Sequence, residues 1–151
     1  MQTLEVRRTY AASITETFDW FSNAHNYTAA PFFRSCRLIQ PGREAAFGSG
    51  AVRQLRFPFG IVQEEITQFD PPFSFQYRVV KSVPPVNHDG GEVALRETGA
   101  GTELVWTSTA ELRLPVLAVP LTRIIFPALF GRAFTQVLDA AEMALAVKLP
   151  A

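Results

Sequence analysis

Two carboxylates stand side by side in the run VQEEITQFDPPFSFQYRV, Glu64 and Glu65. Side chains alternate between the faces of a strand, so if one face is a core, only one of the two can point at solvent. Val62, Glu64 and Ile66 share a face, opposite Gln63, Glu65 and Thr67, which makes Glu64 the inward carboxylate. An inward carboxylate is costly unless it finds a partner or a proton. The neighbouring run GAVRQLRFPF offers Arg53, Leu55 and Phe57 on one face. The two apolar residues favour turning that face inward, which predicts a buried Arg53–Glu64 pair. The opposite register would turn Gln54 and Arg56 inward instead. Glu64 then has three readings: a structural ion pair, a polar anchor for a ligand hydroxyl or carbonyl, or a general acid/base. The structural pair is the first expectation.

Few other side chains could do chemistry. His88 lies in VPPVNHDG beside Asp89, and His25 precedes Asn26 and Tyr27; both are expected to be surface turn histidines, with His88 kept as a second candidate for moving a proton. Two histidines do not make a metal site, and no metal or cofactor is expected. Ser13 and Ser108 have no His and acid at a recognisable spacing, so a hydrolase triad is set aside. The Tyr77 hydroxyl could donate to a bound carbonyl, although a core aromatic reaching the cavity rim is the plainer reading. Glycines 90, 91, 99 and 101 read as turn residues without the strand-to-helix context of a nucleotide loop.

Composition narrows the class. A chain of 151 residues with 48% hydrophobic and 19% charged residues suits one globular domain, taken as residues 1–151. Fourteen basic and fourteen acidic residues cancel. No cluster of Lys and Arg stands out, so neither nucleic acid nor an acidic membrane is an expected partner. Cys36 is the single cysteine, which excludes an internal disulfide and a Cys-based zinc cage and favours a reducing compartment. MQTLEVRRTY does not read as a signal peptide, and a cytoplasmic location is expected. The apolar stretch from Leu112 to Gly131 approaches the length of a membrane span, but it holds Arg113, Arg123 and three prolines. It reads as a packed lid or the start of a core helix, without stable membrane insertion.

These residues need elements to position them. LEVRRTY alternates as a half-buried first strand. Ser13 followed by Glu16 is a capping-box signature, and Ile14, Phe18 and Phe21 share a helical face. NAHNYTAAPFF reads as a second short helix or an irregular turn. Strand-like runs follow at 34–40, 50–57, 61–69, 73–82, 91–97 and 102–112, separated by turn chemistry. Phe73, Phe75, Tyr77 and Val79 are expected inward on one run, and Leu104, Trp106, Ser108 and Ala110 on the last. The tail is helical in character, with Leu121, Ile124, Ile125, Leu129, Ala133, Val137, Leu138, Ala141 and Leu145 approximating one face. Pro120 suits a first helical position, and Pro127 should kink or break the helix. Phe126, Phe130 and Phe134 form a stripe along it. The order of elements predicts an α+β domain, an antiparallel sheet with its helices on one side.

Four stretches, SITETFDWFSNAHNY, EEITQFDPPFSFQYRV, GGEVALRETGAGTELVW and the amphipathic tail, together resemble the polyketide cyclase/dehydrase branch of the START-like, or SRPBCC, superfamily. The resemblance covers Leu4 to about Lys148. It implies a helix-grip fold: a curved sheet of about seven strands wrapped around a long carboxy-terminal helix, with two short helices after the first strand and a cavity between sheet and helix. It also implies a hydrophobic small-molecule ligand such as a lipid or polyketide, with a minority of members acting as cyclases or dehydratases. The expected binding residues are Arg53, Glu64 and Tyr77 at the polar end and Phe75, Trp106, Phe130 and Phe134 along the apolar body. A cyclase or dehydratase using Glu64 or His88 is the alternative. An interaction module whose own side chains fill the cavity is a further one. Oligomeric state is left open.

Overall fold

The fold is seen in a computed structural model, which describes residues 1–113, 120, 123–124 and 126–147. Seven strands form one antiparallel sheet in the order β1-β7-β6-β5-β4-β3-β2. They are β1 (Gln2–Tyr10), β2 (Ser35–Gln40), β3 (Val52–Phe57), β4 (Gly60–Asp70), β5 (Ser74–Val83), β6 (Val86–Thr98) and β7 (Gly101–Leu112). Between β1 and β2 lie helix α1 (Ile14–Ser22) and a 3-10 helix (Ala24–Ala29). Helix α2 (Gly131–Val147) closes the chain after a π-helical turn, Phe126–Phe130. This is the α+β architecture expected from the order of elements, in the helix-grip form that the family resemblance implies.

Local chemistry accounts for these elements. Ser13 caps α1 by accepting the Glu16 N–H at 3.1 Å, satisfying one of the donors a helix start leaves unpaired. Along β7 buried and half-buried residues alternate without a break, with Leu104, Trp106, Ser108 and Ala110 inward. Pro120, Arg123 and Ile124 are already helical, and Pro127 lies inside the π turn that interrupts the helix before α2 starts at Gly131, as the two prolines suggested. From there Ala133, Phe134, Val137, Leu138, Ala141 and Leu145 are buried. Phe134 stacks on Trp106 with ring centroids 4.0 Å apart, and the Tyr10 hydroxyl donates to the Leu138 carbonyl at 2.9 Å. These contacts fasten the helix to the concave face of the sheet.

Three expectations are corrected. Phe73 is not inward: it is 55% exposed. Its N–H bonds the Asp70 carbonyl at 2.8 Å, so the Asp-Pro-Pro turn absorbs it and β5 starts one residue later. Ile124 is not part of the buried helical face, being 69% exposed. Residues 86–90 are not a turn but the first part of β6. The register shifts at Asp89, which stands unpaired between His88↔Ala110 and Gly90↔Thr109, and Gly90 takes a φ of +147° that favours glycine. Leu121, Ile125, the Phe126 side chain and most of the stretch read as a lid lie outside the described residues.

The sheet has one break in its ladder. β5 and β6 pair from Ser74↔Ala94 to Tyr77↔Gly91 and no further. Beyond that point β5 stays paired to β4 as far as Val83↔Ile61, and β6 stays paired to β7 as far as Val86↔Leu112. The two half-strands are joined instead by side chains: Val79 N–H donates to His88 Nδ1 at 3.1 Å, and Val86 N–H to Ser82 Oγ at 3.0 Å.

Candidate functional site

Between the sheet and α2 lies a cavity of about 280 Å³. Its apolar walls come from Leu55, Phe57, Val62 and Trp106 on the sheet and from Leu129, Phe130 and Phe134 on the helical side. Its polar groups on the sheet are Glu64 on β4, Tyr77 and Ser82 on β5, His88 on β6 and Ser108 on β7. Three of those five, Glu64, Tyr77 and Ser108, are set by period-two alternation, which sends one residue in two to the concave face; Ser82 faces inward because the β4–β5 ladder slips at Val80. His88 reaches the cavity from beside the bulge at Asp89.

Glu64 and Arg53 form the first polar unit. They sit opposite one another across β3 and β4, and Arg53 Nε donates to Glu64 Oε2 at 2.9 Å. Arg53 is fully buried, Arg56 is exposed, and the register question is thereby decided for Arg53. Among the described residues, neither Nη1 nor Nη2 of Arg53 has a hydrogen-bond partner. The guanidinium instead lies 5.4 to 5.7 Å from the ring centroids of Tyr27, Phe75 and Tyr77, within cation–π range. Burial works most strongly against its charge, but Glu64, Tyr27 and Tyr77 together outweigh that and hold the guanidinium above its usual value. Burial pushes the Tyr27 hydroxyl up to about 12 while Arg53 pulls the other way. Arg53 and Phe75 stand behind the cavity wall; of the seven expected binding residues, Glu64, Tyr77, Trp106, Phe130 and Phe134 line it.

The second unit is neutral. Because Val79 donates to His88 Nδ1, that nitrogen carries a lone pair and the ring proton belongs on Nε2, which donates to Ser108 Oγ at 2.9 Å. Trp106 Nε1 donates to the Tyr77 hydroxyl at 2.8 Å. The His88 ring stacks on Tyr77 at 5.5 Å. Burial lowers the His88 pKa, against the opposing pull of Glu64 and Asp89. The Tyr77 hydroxyl is pushed well above its usual value by burial and then by Glu64, with bonds from Trp106 and Ser108 pulling back. His88 is therefore half-buried in the cavity wall, not a surface turn residue, whereas His25 is exposed on the 3-10 helix. The available signals were Gly91 and the period-two parity that links Ser108 to Trp106. A Cβ on Gly91 would come within 2.1 Å of the Tyr77 ring, so only glycine lets that ring lie against the β6 backbone.

Chemically, this wall can accept a hydrogen bond at Glu64 and exchange hydrogen bonds at Tyr77 and Ser108, all within an apolar enclosure. Among the described residues, no group of three His, Cys, Asp or Glu is placed to hold a metal ion.

The profile of the family described as polyketide cyclase / dehydrase and lipid transport matches residues 1–145. The chain belongs to that family. No curated protein matches the sequence. Among solved structures, the Zhui aromatase/cyclase from Streptomyces sp. R1128 superposes with a TM-score of 0.79 at 19% identity, over 99% of this chain and 96% of that one. A START superfamily protein from Mycobacterium smegmatis gives 0.76 at 14% identity, over 97% and 99%. A protein from Thermus thermophilus gives 0.75 at 16% identity, over 99% and 100%. At such identities these neighbours speak to the polyketide cyclase / dehydrase fold alone. Family and fold together support a hydrophobic-ligand or cyclase role. Among the described residues, no helix is long and apolar enough to cross a membrane.

Proposed function

We propose that this protein is a carrier or sensor that holds one hydrophobic small molecule, lipid- or polyketide-like, between the sheet and α2. The observation that carries this reading is the cavity itself: apolar almost throughout, with Glu64, Tyr77, Ser82, His88 and Ser108 as its polar groups beside Tyr27, whose hydroxyl is taken up by the Phe21 carbonyl. Ligand sites run from roughly 300 to 1,000 Å³, and about 280 Å³ suits a small ligand. The apolar body would lie against Trp106, Phe130 and Phe134, and its oxygen would meet Glu64 or Tyr77. Arg53 contributes from behind, by holding Glu64 in place through its 2.9 Å hydrogen bond. We place the protein in the cytoplasm and assign it no nucleic-acid partner. An open cavity argues against an interaction module packed shut by its own side chains.

A direct test uses a neutral naphthylamine probe that fluoresces in apolar surroundings. The wild type should bind one probe per chain. Ala110→Phe, which adds a ring at a buried cavity-lining position, should abolish binding while the fold survives by circular dichroism. Undiminished binding in Ala110→Phe, or none in the wild type, would sink the proposal.

The enzyme reading is second, favoured by His88 and Glu64 both standing in the wall. Both His88 nitrogens are engaged, so a proton would have to pass through Ser108 or be taken by Glu64. Glu64→Gln separates the two readings: a binder loses affinity modestly, whereas a cyclase or dehydratase loses turnover.

A further inference from the structure

Charges that are scattered in sequence converge in space. One end of the sheet is formed by the ends of β3, β5 and β7 and the starts of β2, β4 and β6. Arg34, Arg56, Lys81 and Arg113 all sit there, exposed. Arg34 N–H bonds the Arg56 carbonyl at 2.7 Å, Arg113 N–H bonds the Pro85 carbonyl at 3.0 Å, and Lys81 shares an outer groove with Arg113. Arg132, in the first turn of α2, adds a fifth exposed cation next to the cavity-lining Phe130. The acids nearby are Glu111, half-buried and 3.9 Å from the Met1 amino group, and Asp89 in the outer groove. The opposite end carries Glu44, Asp70, Glu97, Glu103, Asp139 and Glu142 against Arg8, Arg43 and Arg96. A chain with no net charge is thus strongly polarised along its strands.

The cationic end is also the apolar one. Phe59, at the β3–β4 turn, is 49% exposed, and Val83, at the end of β5, is 53% exposed. The two turns abut: a Cβ on Gly60 would come within 1.7 Å of the Val83 carbonyl oxygen. Phe59 packs against Phe57 and Phe32, and Phe57, Phe59 and Pro84 all line the cavity. Exposed apolar tips flanked by cations, at the end where the cavity meets the surface, match the chemistry of an anionic bilayer: headgroup charge for the cations, the acyl boundary for Phe59 and Val83. A nucleic acid would leave Phe59 and Val83 without a counterpart.

We infer that this end docks reversibly on an anionic lipid surface, bringing the cavity mouth against the bilayer. This goes beyond the cavity reading, and the two can fail separately, since vesicle binding reads the tip and probe displacement reads the cavity. The test is flotation with phosphatidylcholine vesicles, with and without phosphatidylserine. The protein should float with the anionic vesicles only, and less as salt is raised. A Lys or Arg near such a surface is worth about fivefold in partition, so the neutralised triple variant R56Q/K81Q/R113Q should lose about a hundredfold. The far-end variant R43E/R96E should float as the wild type does, and both variants should keep wild-type probe binding in the cavity. No flotation on anionic vesicles, equal flotation on both kinds, or an equal loss in the far-end variant would overturn the inference. So would retention of a soluble nucleic acid or acidic protein in place of vesicles.

Discussion

Two polar units face one apolar cavity, one on β3 and β4 and the other on β5, β6 and β7, and they solve the problem of burial differently. Arg53 and Glu64 bring full charges, neutralise each other through a 2.9 Å bond and rest the remaining guanidinium on three aromatic rings. His88, Ser108, Tyr77 and Trp106 bring no formal charge and pair off in two short runs, one from the Val79 amide through His88 to Ser108 and one from Trp106 to Tyr77. The first unit cannot lose a member without stranding a charge. The second can lose one at the cost of a single bond. Charged and neutral polarity in the same wall should therefore differ in fragility and in response to pH.

The sharpest way to break this contrast is Glu64→Ala. It strands Arg53 in a fully buried site, and removing one partner of a buried pair typically costs about 3–5 kcal/mol. Urea titration should show that loss, with Glu64→Gln recovering part of it by keeping an acceptor for Arg53. Equal stability of Glu64→Ala and the wild type would mean that the pair contributes nothing to holding the fold.

Tyr77→Phe tests the neutral unit. It leaves the Trp106 N–H without its acceptor, which should cost about 1–3 kcal/mol, less than Glu64→Ala. A loss matching that of Glu64→Ala would erase the distinction between the two units.

The smallest effect is the pH response. The folded His88 pKa lies below the ordinary 6.5, so the unfolded chain binds the extra proton first. The stabilisation is fully present above about pH 6.5 and is lost as pH falls toward the folded value. Urea midpoints at pH 7.5 and 5.5 should therefore differ more for the wild type than for His88→Asn. Identical differences would remove His88 from the account.

The same contrast explains what could be read from the sequence. Arg53 and Glu64 lie on strands where parity is anchored by Leu55, Phe57 and Ile66, so alternation alone put them face to face. The family resemblance and element order likewise yielded the seven-stranded sheet, the two short helices and the closing helix. His88 was misplaced because Asn87, Asp89, Gly90 and Gly91 carry turn chemistry, and a bulge that keeps such residues inside a strand has no periodic signature. Phe73 was misplaced by one residue of turn. The cationic tip was invisible because Arg34, Arg56, Lys81 and Arg113 are far apart in the chain and meet only through strand register.

The broken β5–β6 ladder has a last consequence. Along most of a sheet the spacing between strands is set by backbone bonds and is the same for every sequence. From Tyr77 to Val83 the separation is spanned by an imidazole and a serine hydroxyl. The girth of the cavity at that point is therefore written in side-chain length, as a caliper is set by its jaw. A substitution at residue 88 should therefore change how wide a molecule the cavity admits.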